Sequence, residues 1–448
     1  MNFLIPLQVK KAIQILNDNG FEAYIVGGCV RDFLLNLTPS DFDITTSALP
    51  EEILSTFSDY KTIETGLKHG TVTVVIESMH LEITTYRVDG EYKNNRHPDE
   101  VFFTRNLKED LKRRDFTVNA MAYHPQEGLI DCFNGQDDLR NKIIRCVGEP
   151  EKRFTEDALR ILRAMRFASV LGFNVEEKTF DAACKLKQLI NNISSERINS
   201  ELNKLLLGES CLEILNNFKE IIFEFIPELK PLDGFSQNNI FHIYDMYMHT
   251  LVSVASCPEN IILRLTMLFH DIGKPDTYTE DENGIGHCYG HAKISEEKAR
   301  IILRRLKYDN HTISTVTTLI RYHDADIALT EKAVKRWLNK TGEENFRLLL
   351  EVKRADTRAL SEHIIEERLK YFDEILLILK KINEENQCFS LKDLAVNGKD
   401  VIEKTGSKGA ETGIILKMLL NKVMENELEN DVTSLLNYAK TIDLSRLL

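Results

Sequence analysis

Along residues 1–150 the apolar positions recur with two short periods. Residues 9–16 repeat at helical spacing, and Asn19-Gly20 ends the run. Residues 21–26 read as a strand running into Gly27-Gly28. Residues 71–76 and 81–87 are β-branched, alternating segments around a short polar turn, which predicts a hairpin. Residues 88–105 are polar and without period, and read as a mobile loop. From 151 the spacing becomes helical, predicting helices over 154–171, 179–190, 197–207 and 212–225, and strand signals fade. The turn-rich stretch 227–239 precedes a further helical region reaching 355, and long charged helices follow, ending with 437–448. No repeat or low-complexity tract interrupts this order. The pattern predicts an α+β chain: a mixed β-sheet with helices over 1–150, then all-α segments over 151–226, 227–355 and 356–448.

Composition narrows the classes. Of 448 residues, 43% are hydrophobic and 28% charged, enough apolar material for real cores. The longest apolar runs, such as 413–420, fall far short of the ~20 residues that span a bilayer. The N-terminus lacks the basic and apolar regions of a signal peptide. Eight cysteines without CxxC pairs predict buried, reduced thiols in a cytoplasmic protein rather than a disulfide or zinc framework. The net charge of −13 repels nucleic acid as a whole, so any RNA-binding role requires local basic patches.

Such patches accompany the candidate chemistry. Gly27-Gly28 after a strand lets backbone N–H groups approach a phosphate, with Arg31 in the first turn of the next helix as a pairing group. Asp41 and Asp43, two apart on a strand, point to one face and can hold Mg²⁺. The order strand, Gly-Gly, helix, Asp-x-Asp within residues 21–44 is more specific than either motif alone. Gly27-Gly-Cys-Val-Arg-Asp-Phe-Leu-Leu35 with Pro39-Ser-Asp-Phe-Asp-Ile44 resembles the head motif of the DNA polymerase β superfamily. Within it, the resemblance is to the class II tRNA nucleotidyltransferase and bacterial poly(A) polymerase branch. It implies a polymerase-β-like nucleotidyltransferase head (palm), then a helical neck, body and tail.

Glu109–Met121 is similar to the family's ribose and triphosphate segment: Arg113 and Arg114 can neutralise phosphate, and Asp115 and Asn119 can bond sugar hydroxyls. In Glu156-Asp157-Ala-Leu-Arg160-Ile-Leu-Arg163-Ala-Met-Arg166, the polar residues form one stripe on the expected helix. Such a stripe also suits a salt-bridged exposed face. Cytosine and adenine, however, each present an amine donor beside a ring-nitrogen acceptor, which suits a carboxylate beside a guanidinium; guanine and uracil present the reverse. The resemblance implies this selecting role for Asp157 and Arg160, and nucleotide contacts for Arg163 and Arg166. Ser195–Leu202 looks like the family's neck.

The resemblance implies transfer of C and A from CTP and ATP to the tRNA 3′ end. In the family that the chain resembles, CC-adding members lack the loop that is intact here at 87–101 and poly(A) polymerases tend to carry basic termini, so the resemblance disfavours addition of C alone and poly(A) synthesis. Full CCA addition is therefore expected, with A-only addition and poly(A) synthesis as alternatives. Leu268-Phe-His270-Asp271-Ile-Gly-Lys274 looks like the HD phosphohydrolase signature. The resemblance places a second divalent metal on His249, His270, Asp271, His291, His323 and Asp324, which makes a metal-dependent phosphohydrolase the rival from another class. A non-enzymatic RNA-binding protein is the third possibility. Lys293, Lys298, Arg300, Arg304, Arg305 and Lys307 are candidate contacts to the tRNA acceptor arm, or a solvated helix face. The oligomeric state stays open.

Overall fold

The computed structural model describes residues 4–442 other than 40, 91, 94–96, 99–100, 237 and 239–242. The expected final helix beyond 442, and part of the expected loop 88–105, lie outside the described residues. The chain divides into two compact units, Met1–Pro227 and Glu228–Leu448. No described helix is long and apolar enough to cross a membrane. All eight cysteines are free thiols; five are buried as expected, while Cys132 is exposed.

A seven-stranded mixed sheet organises the first unit, in the order Gly128–Asp131, Met121–His124, Ala23–Val26, Asp43–Thr46, Met79–Thr85, Thr71–Ile76, Lys61–Ile63. Its one parallel pair joins Asp43–Thr46 to Met79–Thr85. The expected hairpin is present, and Thr71–Ile76 buries Val72, Val74 and Ile76 in strict alternation. Helix Leu7–Asp18 buries Val9, Ala12, Ile13 and Leu16. Register decides the site: Val26 lies opposite Asp43, and Asp43 opposite Glu82. The turn at Gly27 therefore leaves the sheet beside the Asp43 carboxylate.

Four expected segments need correction. Residues 154–171 are two helices, Pro150–Glu156 and Leu159–Leu171, separated at Asp157, whose φ of −136° and ψ of 104° are extended. Asp157 accepts the Leu159 N–H at 3.1 Å, the use of a short carboxylate that favours helix starts over helix interiors. Residues 179–190 and 212–225 are likewise each broken, into Glu177–Lys185 with a 3-10 turn Lys187–Asn192, and into Cys211–Asn217 with Lys219–Phe225. The stretch read as a loop holds strands: Arg87–Asp89 pairs with Val101–Phe103, and Tyr92–Lys93 with His97–Pro98. Val88, Phe102 and Phe103 are exposed, so no buried face imposes a period on that segment.

In the second unit, helices Met246–Ala255, His291–Arg305, Asn310–Tyr322 and Glu343–Arg358 pack around Ile261–Phe269, which is buried from Leu263 to Phe269. A short ribbon, Thr279–Glu280 with Gly286–His287, is strand structure that the sequence reading did not anticipate. Glu362–Glu384 follows, and Val401, Ile415, Leu419, Leu420 and Leu435 form a further core cluster near the end.

Candidate active site

Asp41, Asp43, Gly28, Arg31, Arg113, Arg114, Asp115, Asn119, Asp157, Arg160, Arg163 and Arg166 all line one cleft of about 560 Å³ in the first unit. Gly27, Asp32, Leu159, Phe167 and Arg197 complete it. Seven arginines there face five aspartates, so the cleft is cationic in a chain of net charge −13. The expected local basic patch is present.

Gly27 has φ +81°, and a Cβ there would lie 3.2 Å from Arg114 Nη1 and 3.7 Å from Asp43 Oδ2. The missing side chain is what lets guanidinium and carboxylate close on the turn. Burial pushes the Asp43 carboxyl above its ordinary value, Arg114 opposes, and Asp41 and Glu82 add to the rise. Like charges crowded at one strand end suit a cation, and Asp41 with Asp43 are the residues able to hold one. Glu82 was not anticipated; it faces Asp43 only because the two strands are parallel neighbours.

The basic segment is held from below. Asp110, fully buried, accepts from Arg113 Nε at 2.9 Å and Arg114 Nη2 at 3.4 Å. Burial alone would raise its carboxyl, but the two arginines hold it below its ordinary value. Asp115 Oδ2 accepts Arg163 Nε at 2.8 Å, and Oδ1 accepts Phe116 N–H at 2.8 Å and Asn119 Nδ2 at 3.1 Å. Burial disfavours its charge, yet Arg163 and Asn119 bring the carboxyl down to about 2. Both oxygens thus have protein donors, and Asp115 ties Arg163 and Asn119 into the cleft wall that it lines. Asn119 Oδ1 accepts Arg31 Nη1 at 2.9 Å, which extends the chain of bonds to the glycine turn.

Arg166 pairs with buried Glu201 at 3.1 Å; burial brings its guanidinium down to about 10 with Glu201 opposing. Arg31, Arg163 and Arg166 lie 5.1, 5.3 and 3.9 Å from the Phe167 ring centroid, a cation–π platform missed in the sequence. Arg160 donates to Glu156 at 3.0 Å and to the Arg113 and Arg153 carbonyls. Asp157 pairs with Arg197 at 3.2 Å.

A second cluster lies in the second unit. His249, His270, Asp271, His291 and His323 are buried, and their ligand atoms converge in two groups that share Asp271. His291 Nε2 lies 3.1 Å from His323 Nε2 and 3.3 Å from Asp271 Oδ1. Asp356, unforeseen, reaches His249 Nε2 at 3.0 Å and His270 Nε2 at 3.4 Å, whereas Asp324 is exposed and joins neither group. The Nδ1 atoms of His270, His291 and His323 each sit 2.7 Å from a backbone carbonyl, and that of His249 at 3.3 Å, which turns every Nε2 inward. That is how imidazoles are oriented toward a metal. His270 Nε2 and Asp271 Oδ1 are buried without a hydrogen-bond partner, so the donor set fits a divalent cation. Burial opposes protonation of His270, but Asp271 and Asp356 raise it to about 10. Burial would raise Asp271 too, but His270 and Lys274 hold it well below the carboxylate range. Of the six candidate tRNA contacts, Lys298 pairs with Asp276, Arg300 with Glu296 and Arg305 with Glu228, so three of these cations already meet carboxylates.

Residues 23–145 match the family described as Poly A polymerase head domain, and 278–439 that described as tRNA nucleotidyltransferase domain 2. The chain is 35% identical over 446 residues to a CCA-adding enzyme of Enterococcus faecalis, covering 97% of each, and 34% identical over 438 residues to one of Lactobacillus helveticus. The crystal structure of the Bacillus stearothermophilus CCA-adding enzyme in complex with CTP aligns with TM-score 0.71 and 29% identity, over 97% of this chain and 96% of that one. The Thermotoga maritima CCA-adding enzyme complexed with tRNA shares the fold, with TM-score 0.63 at 19% identity. With relatives this similar along almost its entire length, the chain belongs to the CCA-adding enzyme family.

Proposed function

We propose that this chain rebuilds the CCA end of tRNA from CTP and ATP without a nucleic-acid template, in the cytoplasm. The observation that carries the proposal is the single cleft in which Asp41 and Asp43 face seven arginines. Mg²⁺ bound by Asp41 and Asp43 would lower the cost of ionising the attacking hydroxyl and neutralise charge on the triphosphate. Arg31, Arg113 and Arg114 hold the phosphates beside the glycine turn, and Asp110 keeps the last two aimed. Asp157 accepts from the exocyclic amine of C or A while Arg160 donates to the adjacent ring nitrogen. Arg163 and Arg166 flank the nucleotide, and Asp115 with Asn119 fixes their frame. The RNA 3′-oxygen bonds to the α-phosphorus, the bond to the bridging oxygen breaks, and pyrophosphate leaves. The division into a head over 1–150, a neck over 151–226, a body over 227–355 and a tail over 356–448 is part of this reading.

The test gives purified protein and Mg²⁺ to tRNAs lacking CCA, CA or A, with CTP, ATP or both, beside D41A. Growth that stops at CCA, needs both nucleotides and vanishes in D41A is the expected result. Growth from CC-ending tRNA alone means A-only addition, long A tails mean poly(A) synthesis, and no growth refutes the proposal.

A second reading is favoured by the convergence of four imidazole Nε2 atoms with Asp271 and Asp356. The cluster holds a divalent metal and hydrolyses phosphoesters independently of the first cleft. Metal-dependent hydrolysis of a generic phosphodiester should survive D41A and disappear in H270A; hydrolysis unchanged by H270A rejects it.

A further inference from the structure

The carboxylate of Asp157, the residue read above as accepting from the base, has a single local hydrogen-bond donor. Its backbone is extended at the break between Pro150–Glu156 and Leu159–Leu171, with its N–H still donating to the Arg153 carbonyl and its own carbonyl accepting the Arg160 N–H. Only the Leu159 N–H, at 3.1 Å from Oδ1, holds its carboxylate locally. Arg160 is in the opposite situation, tied by Glu156 and two backbone carbonyls. What fixes Asp157 comes from a different helix. Arg197, in the first turn of Ser195–Leu206, straddles the carboxylate with Nη2 at 3.4 Å from Oδ1 and 3.2 Å from Oδ2. Its other amino group, Nη1, is buried and has no hydrogen-bond partner. Arg197 lines the same cleft as Asp157 and Arg160. A buried guanidinium N–H without an acceptor is costly in a finished structure, and one beside a ligand cleft is accounted for when the ligand supplies the acceptor.

We propose that Arg197 determines base specificity. Nη2 fixes the Asp157 carboxylate in its base-reading position, and Nη1 donates to an acceptor atom of the incoming nucleotide. The inference rests on the reading of Asp157 and Arg160 as the base-selecting pair. A carboxylate discriminates an amine from a carbonyl only if it cannot turn or withdraw when the wrong base enters, because the penalty comes from acceptors held face to face. Without Arg197, one N–H remains to hold Asp157, and the carboxylate can rotate away from a carbonyl or admit water beside it. Uracil and guanine would then meet less opposition, while cytosine and adenine lose a fixed partner.

The test measures kcat and KM for single additions of CTP and UTP to tRNA lacking CCA, and of ATP and GTP to tRNA ending in CC. Wild type is compared with R197M and R197K. A misplacement of this size is expected to lower kcat/KM for CTP and ATP by about 10- to 100-fold in R197M. The values for UTP and GTP should stay near wild type, so the selectivity ratio collapses, and R197K should recover part of it. A uniform loss across the four nucleotides, or a ratio left intact, overturns the proposal. If R197M does not fold, R197K, which keeps the charge without the fork, carries the comparison. A wild type that extends no tRNA overturns the family-based function together with this inference. A wild type that selects C and A beside an equally selective R197M overturns only the role of Arg197.

Discussion

At the scale of single residues, Asp115 shows how a site motif becomes structure. Its type and position pointed to a sugar contact, and in the fold both oxygens also accept from Arg163, Asn119 and the Phe116 N–H. No sequence pattern gave that away, since Arg163 lies 48 positions downstream. The carboxyl is lowered to about 2 in the fold, below its ordinary 3.8. Its contribution is therefore complete above pH 4 or so and is lost as pH falls toward 2, with a magnitude of about 2 kcal/mol. D115N should remove that acid-side slope from a pH series of chemical unfolding; an unchanged slope would mean the pair adds nothing. The predicted cleft residues were legible because they sit in three dense segments, 27–44, 109–121 and 156–166. Arg197, Glu201 and Glu82 were not assigned roles, because each acts through a neighbour remote in sequence.

Elements decide which of these side chains can meet. Helix Leu107–Lys112 is only six residues long, yet Asp110 on it restrains two arginines just past its end. Breaking a buried ion pair leaves charge without compensation, so D110N should cost about 3 kcal/mol of stability and weaken triphosphate binding together. Thermal unfolding and the KM for CTP read the two effects; a variant as stable as wild type would refute the restraint. The same scale holds the clearest sequence failures. Spacing alone predicted one helix through Asp157, because apolar period continues across the break while the capping preference of a single Asp is weak against it. The ribbon around 87–103 was invisible for the opposite reason: Val88, Phe102 and Phe103 face solvent and leave no period.

For the molecule as a whole, the apparent conflict between net charge and an RNA substrate disappears once charge is located. The arginines gather in one cleft of the first unit, while the −13 belongs to the chain as a whole. The two-unit division makes metal at the histidine cluster separable in experiment. Adding a divalent metal at about 100 times its dissociation constant should stabilise the fold by about 2.7 kcal/mol, and chelation should reverse this. Calorimetry should detect the shift in wild type and not in H270A; the same response in both would exclude the cluster as the site. His270-Asp271 was legible as a doublet, whereas Asp356 was not, since 107 positions separate it from the His249 ring it meets.

The three short Nδ1 contacts in that cluster have a further meaning. His270, His291 and His323 each use the carbonyl three residues earlier, at Met267, Cys288 and Ile320. Each ring is aimed by its own four-residue neighbourhood, not by the path of chain between one histidine and the next. These three rings thus sit in self-contained sockets, unlike His249, whose Nδ1 meets the Ala359 carbonyl 110 positions away, so the segments joining the three can lengthen or shorten without turning them. Such a cluster can survive insertions in its connections, for example in the turn at Asp281–Gly284, while a single proline three residues ahead of a histidine would not change the carbonyl but would re-aim the ring through the backbone. Architecture of this kind lets evolution vary the surroundings of a site far faster than the site itself.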